Sequence, residues 1–165
     1  MFYDEILIDL TNHNVKFLLV GGMAVNLHGF DRTTGDLDVL LYMKDENLKK
    51  FMKVVKKWKL APSAPININD FLDKDKRNIW INEKNMNAFS LINPNRSYER
   101  LDVVIESPID FNEAFSHGKK IVLDNIKITI CSIEDLIKMK KHANREIDKL
   151  DIKALKKIQE LNNNE

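Results

Sequence analysis

The chain has 165 residues, 44% of them hydrophobic, enough for one domain with its own core. Lys and Arg number 26 against 25 Asp and Glu, and the net charge of +1 gives no global argument for a nucleic-acid, membrane or acidic partner, so any charge-based function has to be local. The single cysteine, Cys131, excludes an intrachain disulfide and a multi-cysteine metal site, and the acidic opening Met1-Phe-Tyr-Asp-Glu, with no apolar run near the ~18 residues of a membrane span, makes the cytoplasm the expected address.

In chain order, Phe2, Ile6, Leu7 and Leu10 share one helical face over 2–13, and Lys16–Val20 reads as a short strand. Gly21-Gly22 turns the chain into a short helix over 23–29. Asp36–Tyr42 is a second strand. Glu46–Lys59 is an amphipathic helix with Leu48, Phe51, Met52, Val55 and Trp58 inward. Residues 60–85, with Pro62 and Pro65, read as a loop followed by weak helix. Strands are expected over 86–92 and 101–106, the second alternating Leu101, Val103 and Ile105 with Asp102 and Val104. Lys120–Leu123 and Ile126–Cys131 form a hairpin around Asp124-Asn125. Ser132 caps the next helix, with an acid three residues on. A last helix runs from about Glu146 to Leu161, and 162–165 should fray. The expected class is therefore α/β (α+β): one domain over 1–165, a mixed sheet flanked by helices over about 15–131, and C-terminal helices over about 132–161.

Aspartates are unusual at the start of an apolar strand. Asp36 and Asp38, two apart, project from the same face, while Leu37, Val39 and Leu41 keep the other face apolar. Neighbouring carboxylates coexist when protonated, well solvated or bridged by a cation, and oxygen ligands of this kind suit Mg²⁺. Upstream, Gly21-Gly22 lacks the side chains that would keep phosphate oxygens from the backbone. Glycines for phosphate and carboxylates for metal together describe a nucleoside triphosphate site.

Gly-Gly, thirteen residues, then Asp-Leu-Asp resembles the signature of the DNA polymerase β-like nucleotidyltransferases. Val20-Gly-Gly-Met-Ala-Val-Asn-Leu-His-Gly followed by Arg32-Thr-Thr-Gly-Asp-Leu-Asp is similar to the minimal nucleotidyltransferases of bacterial toxin-antitoxin and abortive-infection systems. The resemblance covers residues 17–41, 101–105 and 133–155. It implies the nucleotidyltransferase fold, a third carboxylate at Asp102 within Arg100-Leu-Asp-Val-Val-Ile, and a closing segment matching at Lys140, Arg145, Asp148 and Asp151. Many active members carry Gly-Ser where this chain has Gly21-Gly22, so a hydroxyl contact to phosphate is missing.

The implied activity is transfer of a nucleoside monophosphate from a nucleoside triphosphate to an acceptor hydroxyl on RNA, protein or a small molecule. Asp36, Asp38 and Asp102 would hold two Mg²⁺ ions roughly 3.5–4 Å apart, and Asp102 could take the acceptor proton. Gly21 and Gly22 would cradle the β- and γ-phosphates, with Arg32 or Lys140 offsetting charge on the leaving pyrophosphate. A cognate toxin or antitoxin is a possible protein partner. The alternative is a non-catalytic antitoxin-like interaction protein that keeps the fold. Among the remaining candidates, His28, Trp58 and Trp80 read as packing residues. Lys49, Lys53, Lys56 and Lys57 read as a solvated helix face, and Arg145 with Asp148 divides between structural and functional readings.

Overall fold

The computed structural model describes residues 2–164. The helices are α1 (Phe2–Asn12), α2 (Gly21–Leu27), α3 (Asp45–Lys57), α4 (Lys74–Lys84), α5 (Phe111–Ser116), α6 (Ile133–Ala143) and α7 (Glu146–Asn163). The strands are β1 (Phe17–Val20), β2 (Asp36–Leu41), β3 (Ala61–Pro62), β4 (Ala88–Asn93), β5 (Arg96–Val104), β6 (Lys119–Leu123) and β7 (Ile126–Ile130), and a 3-10 helix spans Ile68–Leu72. They form one seven-stranded sheet in the order β3-β4-β5-β2-β1-β7-β6. β2 runs parallel to β5 and antiparallel to β1, which is itself parallel to β7.

Alternation sorts the side chains of this sheet into two cores. Leu37, Val39, Leu41, Phe89, Leu91, Leu101 and Val103 pack with α1, α3, the 3-10 helix and α4. Leu18, Val20 and Leu40 pack on the other face with α2, α5, α6 and α7. On this second face α2 packs against β2 and β1, and α5 against β1. β4 and the site end of β5 have only half-buried residues there, Ser90, Ile92, Arg100 and Asp102, and that uncovered region is where the candidate site lies.

Local signals explain most of these elements. The Ser132 hydroxyl accepts the Asp135 N–H at the start of α6. Asp124 and Asn125 both take positive φ, 45° and 68°, as a two-residue hairpin turn of the primed type requires. Two expectations are corrected and one is extended. The glycine pair is the first turn of α2 and not a turn before it. The inward face of α3 also includes Val54, which is buried, beside Met52 and Trp58, which pack against the same core half-buried. The stretch expected as loop and weak helix is ordered by an aromatic stack. Phe71 lies 4.5 Å from Phe89 and Trp80 lies 5.5 Å from Phe89 between ring centroids, and the Arg77 guanidinium closes the segment by donating to the Phe71 carbonyl at 2.6 Å.

Candidate active site

Three adjacent strands bring the site together. β2 supplies Asp36 and Asp38 from its half-buried face. On one side β5 pairs in parallel with Asp38 level with Asp102 and Asp36 level with Arg100. On the other side β1 pairs Val20 with Asp38 and delivers Gly21 at its end. The three aspartates therefore share one face of two neighbouring strands. Residues 36 and 102 lie far apart in sequence, and only the parallel β2–β5 register joins them.

Asp38 is the most enclosed of the three. Burial, then the charges of Asp102 and Asp36, push its carboxyl up to about 6, against the smaller opposing pull of Lys140 and Arg145. Burial likewise raises Asp102, with Asp36 adding to the shift, while the hydroxyl of Ser90, its register partner on β4, opposes it. Asp102 Oδ1 is buried without a hydrogen-bond partner. An orphaned buried oxygen beside an under-compensated carboxylate pair is the environment a divalent cation stabilises. Among the described residues no three His, Cys, Asp or Glu side chains are gathered tightly enough to cage a metal unaided. Hard carboxylate oxygens, one of them unpartnered, are a donor chemistry that suits a divalent cation such as Mg²⁺.

The glycines have first neighbours within the chain itself. Gly21 has φ +68°, and a Cβ there would meet the Asp38 carboxyl carbon at 2.6 Å. At Gly22 a Cβ would meet Thr34 Oγ1 at 2.7 Å and Arg32 Nη2 at 3.0 Å. The absent side chains thus let Asp38, Thr34 and Arg32 close around the start of α2, where no side chain caps the helix.

Arg32 and Lys140, the two cations expected at phosphate, meet at one carboxylate. Arg32 Nη1 lies 2.6 Å and Lys140 Nζ 2.7 Å from Asp151 Oδ2. Lys140 also reaches Asp148 Oδ1 at 3.2 Å and is only 5% exposed. Arg145 chelates Asp148, with Nε 2.9 Å from Oδ2 and Nη2 3.2 Å from Oδ1, and the same carboxylate accepts the Arg145 backbone N–H at 2.9 Å at the start of α7. Lys140 is thereby committed to the joint between α6 and α7, while Arg145 acts electrostatically on Asp38 and Arg32 Nη2 stands beside Gly22.

Tyr3 was not among the expected site residues. Its hydroxyl donates to the Gly35 carbonyl, immediately before Asp36. Its phenol is raised by burial and then by the charges of Asp36, Glu99, Asp38 and Asp102. No local pattern points from residue 3 to residue 35. His28 behaves as the packing residue expected, bonding the Cys131 carbonyl at 2.8 Å. A cavity of about 280 Å³ lined by Lys16, Phe115 and Lys127 lies at the opposite end of β1, beside Phe17, and does not include the aspartates. No helix among the described residues is long and apolar enough to cross a membrane.

In fold, the chain is similar to the lincosamide antibiotic adenylyltransferase LnuA in its lincomycin-bound crystal structure, with a TM-score of 0.61 and 20% identity over 95% of this chain and 96% of that one. ANT(2'')-Ia in complex with adenylyl-2''-tobramycin superposes with a TM-score of 0.56 at 14% identity, over 94% of this chain and 90% of that one. An antigenic nucleotidyltransferase-like protein from Paracoccidioides brasiliensis gives 0.51 at 16% identity, over 92% and 72%. At such identities the likeness is one of fold. No curated protein sequence matches the chain. The profile of the family described as "Nucleotidyltransferase of unknown function (DUF6036)" matches residues 3–165, and the chain belongs to that family of nucleotidyltransferase enzymes.

Proposed function

We propose that the protein transfers a nucleoside monophosphate from a Mg²⁺-bound nucleoside triphosphate to an acceptor hydroxyl. The observation that carries this reading is the level placement of Asp38 and Asp102 on parallel strands, with Asp38 pushed up to about 6 by burial and by its acidic neighbours. Such a pair, left without a cation, is destabilising at neutral pH, which a structural role would not tolerate without benefit.

Asp36, Asp38 and Asp102 would hold the metal. When bound, Mg²⁺ supplies charge stabilisation at the phosphoryl oxygens and lowers the pKa of the attacking hydroxyl. The acceptor oxygen forms a bond to the α-phosphorus, the bond from that phosphorus to the bridging oxygen of the β-phosphate breaks, and pyrophosphate leaves. Asp102 would take the acceptor proton, since its raised pKa suits a general base. Gly21 and Gly22 would let the triphosphate approach the first turn of α2, and Arg32, held beside Gly22, would face its charge. Lys140 would act at one remove, by holding Asp151 and Asp148 in place.

The same chemistry serves a toxin-antitoxin or defence setting, in which the acceptor belongs to RNA, to a partner protein or to a small molecule. Titration calorimetry with ATP and GTP, with and without Mg²⁺, tests the donor site. Metal-dependent binding by the parent that disappears in Asp38→Asn, in a variant that remains folded, is the expected result. Equal binding by both chains would remove the metal site.

A further inference from the structure

The sheet order divides the cleft into two flanks. β1, with Gly21, Gly22 and the nearby Arg32, lies on one side of β2, and β5 with Asp102 lies on the other. Donor phosphates assigned to the glycine flank leave the β5 flank for the acceptor, beside the carboxylate that would take its proton.

That flank extends beyond the rest of the sheet. Asp36, the first residue of β2, is level with Arg100, so Arg96–Glu99 have no partner on β2 and project past it as an arm that β4 follows only at Asn93, the partner of Arg96, leaving Ser97–Glu99 outside the ladder. A bulge between Ile92 and Asn93 sets the arm off from the regular ladder. The arm is braced from within. Buried Glu99 accepts from Asn93 Nδ2 at 2.7 Å and from Arg96 Nη1 at 3.1 Å. Glu99, Leu101 and Val103 are buried towards one core, which turns the alternate residues Tyr98, Arg100 and Asp102 to the open face. Tyr98 is 73% exposed, the most exposed large hydrophobic side chain among the described residues. Arg100 acts electrostatically on Asp102. A flat aromatic face, then a guanidinium, then the proposed base thus stand at alternate positions of one strand, Tyr98 in its bulged part and Arg100 and Asp102 in the regular ladder.

We propose that this β4–β5 arm is the acceptor platform, and that Tyr98 and Arg100 seat a single-stranded RNA end whose terminal hydroxyl reaches Asp102. The inference rests on the transferase reading above. A ring that stacks on tyrosine and a phosphate that pairs with arginine are the two faces a nucleotide presents, spaced as neighbouring groups along one strand.

The test uses the full chain and a short, fluorescently labelled single-stranded oligoribonucleotide with a free 3′ hydroxyl. Anisotropy titrations across a salt series should give an affinity that Tyr98→Ala lowers about tenfold and Tyr98→Phe largely keeps, while Arg100→Gln flattens the salt slope by about one. With labelled nucleoside triphosphate and Mg²⁺, the same changes should raise the KM for the oligonucleotide and leave donor affinity in calorimetry unchanged. Tyr98 is exposed, so these variants should fold as the parent does. Parent-like binding and labelling by both Tyr98→Ala and Arg100→Gln would overturn the assignment. So would a parent that labels lincomycin, tobramycin or a protein but not the oligonucleotide. A parent that binds no triphosphate sinks the transferase reading itself, and the anisotropy series then still decides whether the arm holds RNA.

Discussion

Asp38 lies directly across the β2–β5 pair from Asp102, with the carboxyl of Asp38 packed against Gly21 so closely that even a methyl group there would collide with it. The arrangement has a stability cost that titration should expose. Asp38 is raised from 3.8 to about 6, so between these values the folded state binds more protons than the unfolded one, and stability falls as pH rises through that window. A shift of about two units corresponds to roughly 3 kcal/mol at most. Asp38→Asn should therefore raise the melting temperature of the metal-free protein above pH 7 and change it little at pH 4. Mg²⁺ should stabilise the parent and not the variant. A variant less stable than the parent at neutral pH would show the carboxylate to be structurally satisfied.

Gly21 should tolerate no side chain. Its φ of +68° is strained for any L residue, and a Cβ would stand 2.7 Å from the Asp38 Cβ. Gly21→Ala is expected to lose about 1–2 kcal/mol from the backbone conformation alone, and, where it folds, to lose stabilisation by Mg²⁺ because Asp38 has been displaced. Gly35 is the control, since a Cβ there meets nothing within 4 Å, and Gly35→Ala should stay within about 0.5 kcal/mol of the parent. Thermal melts of both variants, with and without Mg²⁺, check the pair.

What could be read from the sequence follows the range of the interactions involved. The two aspartates, the apolar residues between them and the glycines form a local pattern, and the alternation that put Asp36 and Asp38 on one face holds in β2. The Ser132 cap and the Asp124-Asn125 turn are local for the same reason. α4 buries only Arg77 and Trp80, too few positions to declare a helical period, and its order comes from Phe89 on a distant strand. α5 has six residues and an Asp110 cap, short enough to pass for loop. β5 begins at Arg96, ahead of the expected Leu101, because Arg96–Tyr98 are exposed and show no apolar alternation, and of Arg96–Glu99 only Arg96 has a ladder partner, Asn93. Lys140 reads as a phosphate ligand in sequence, yet its partners Asp148 and Asp151 draw it inward. Tyr3 gave no local signal because its bond to Gly35 spans 32 residues.

The Asp151 junction should matter for stability before it matters for chemistry. Asp151 is 1% exposed and receives both Arg32 and Lys140. Asp151→Ala leaves a buried lysine with one acidic partner, Asp148, and frees the Arg32 guanidinium. Loss of one member of a buried ion-pair network costs about 3–5 kcal/mol. Urea denaturation should show a loss of that order. Removing the exposed Glu146 partner of Lys149 in the same helix should change little. Comparable effects from the two changes would mean that Asp151 is more solvated than its burial indicates.

Asp102 separates an enzyme from a protein that keeps the fold only for contact. In the proposed reaction it works on the acceptor side, where its buried Oδ1 has no partner and its raised pKa favours proton uptake. Asp102→Ala should leave triphosphate binding largely intact, because Asp36 and Asp38 remain, while transfer falls by at least about 10²-fold, the usual contribution of a general base. A contact protein predicts another outcome, since neutralisation of a partner depends on its surface and survives a change inside the cleft. Exposed Ile147, Leu150 and Leu161 on α7 offer such a surface. Expressing the parent and Asp102→Ala chains alone and with a candidate partner, then seeking an added nucleotide on RNA and protein by mass spectrometry, distinguishes the two. A modified species made by the parent and missing with Asp102→Ala supports transfer. Equal effects on growth from both chains, with no modified species in either, would move the function to the surface of α7 and away from the aspartates.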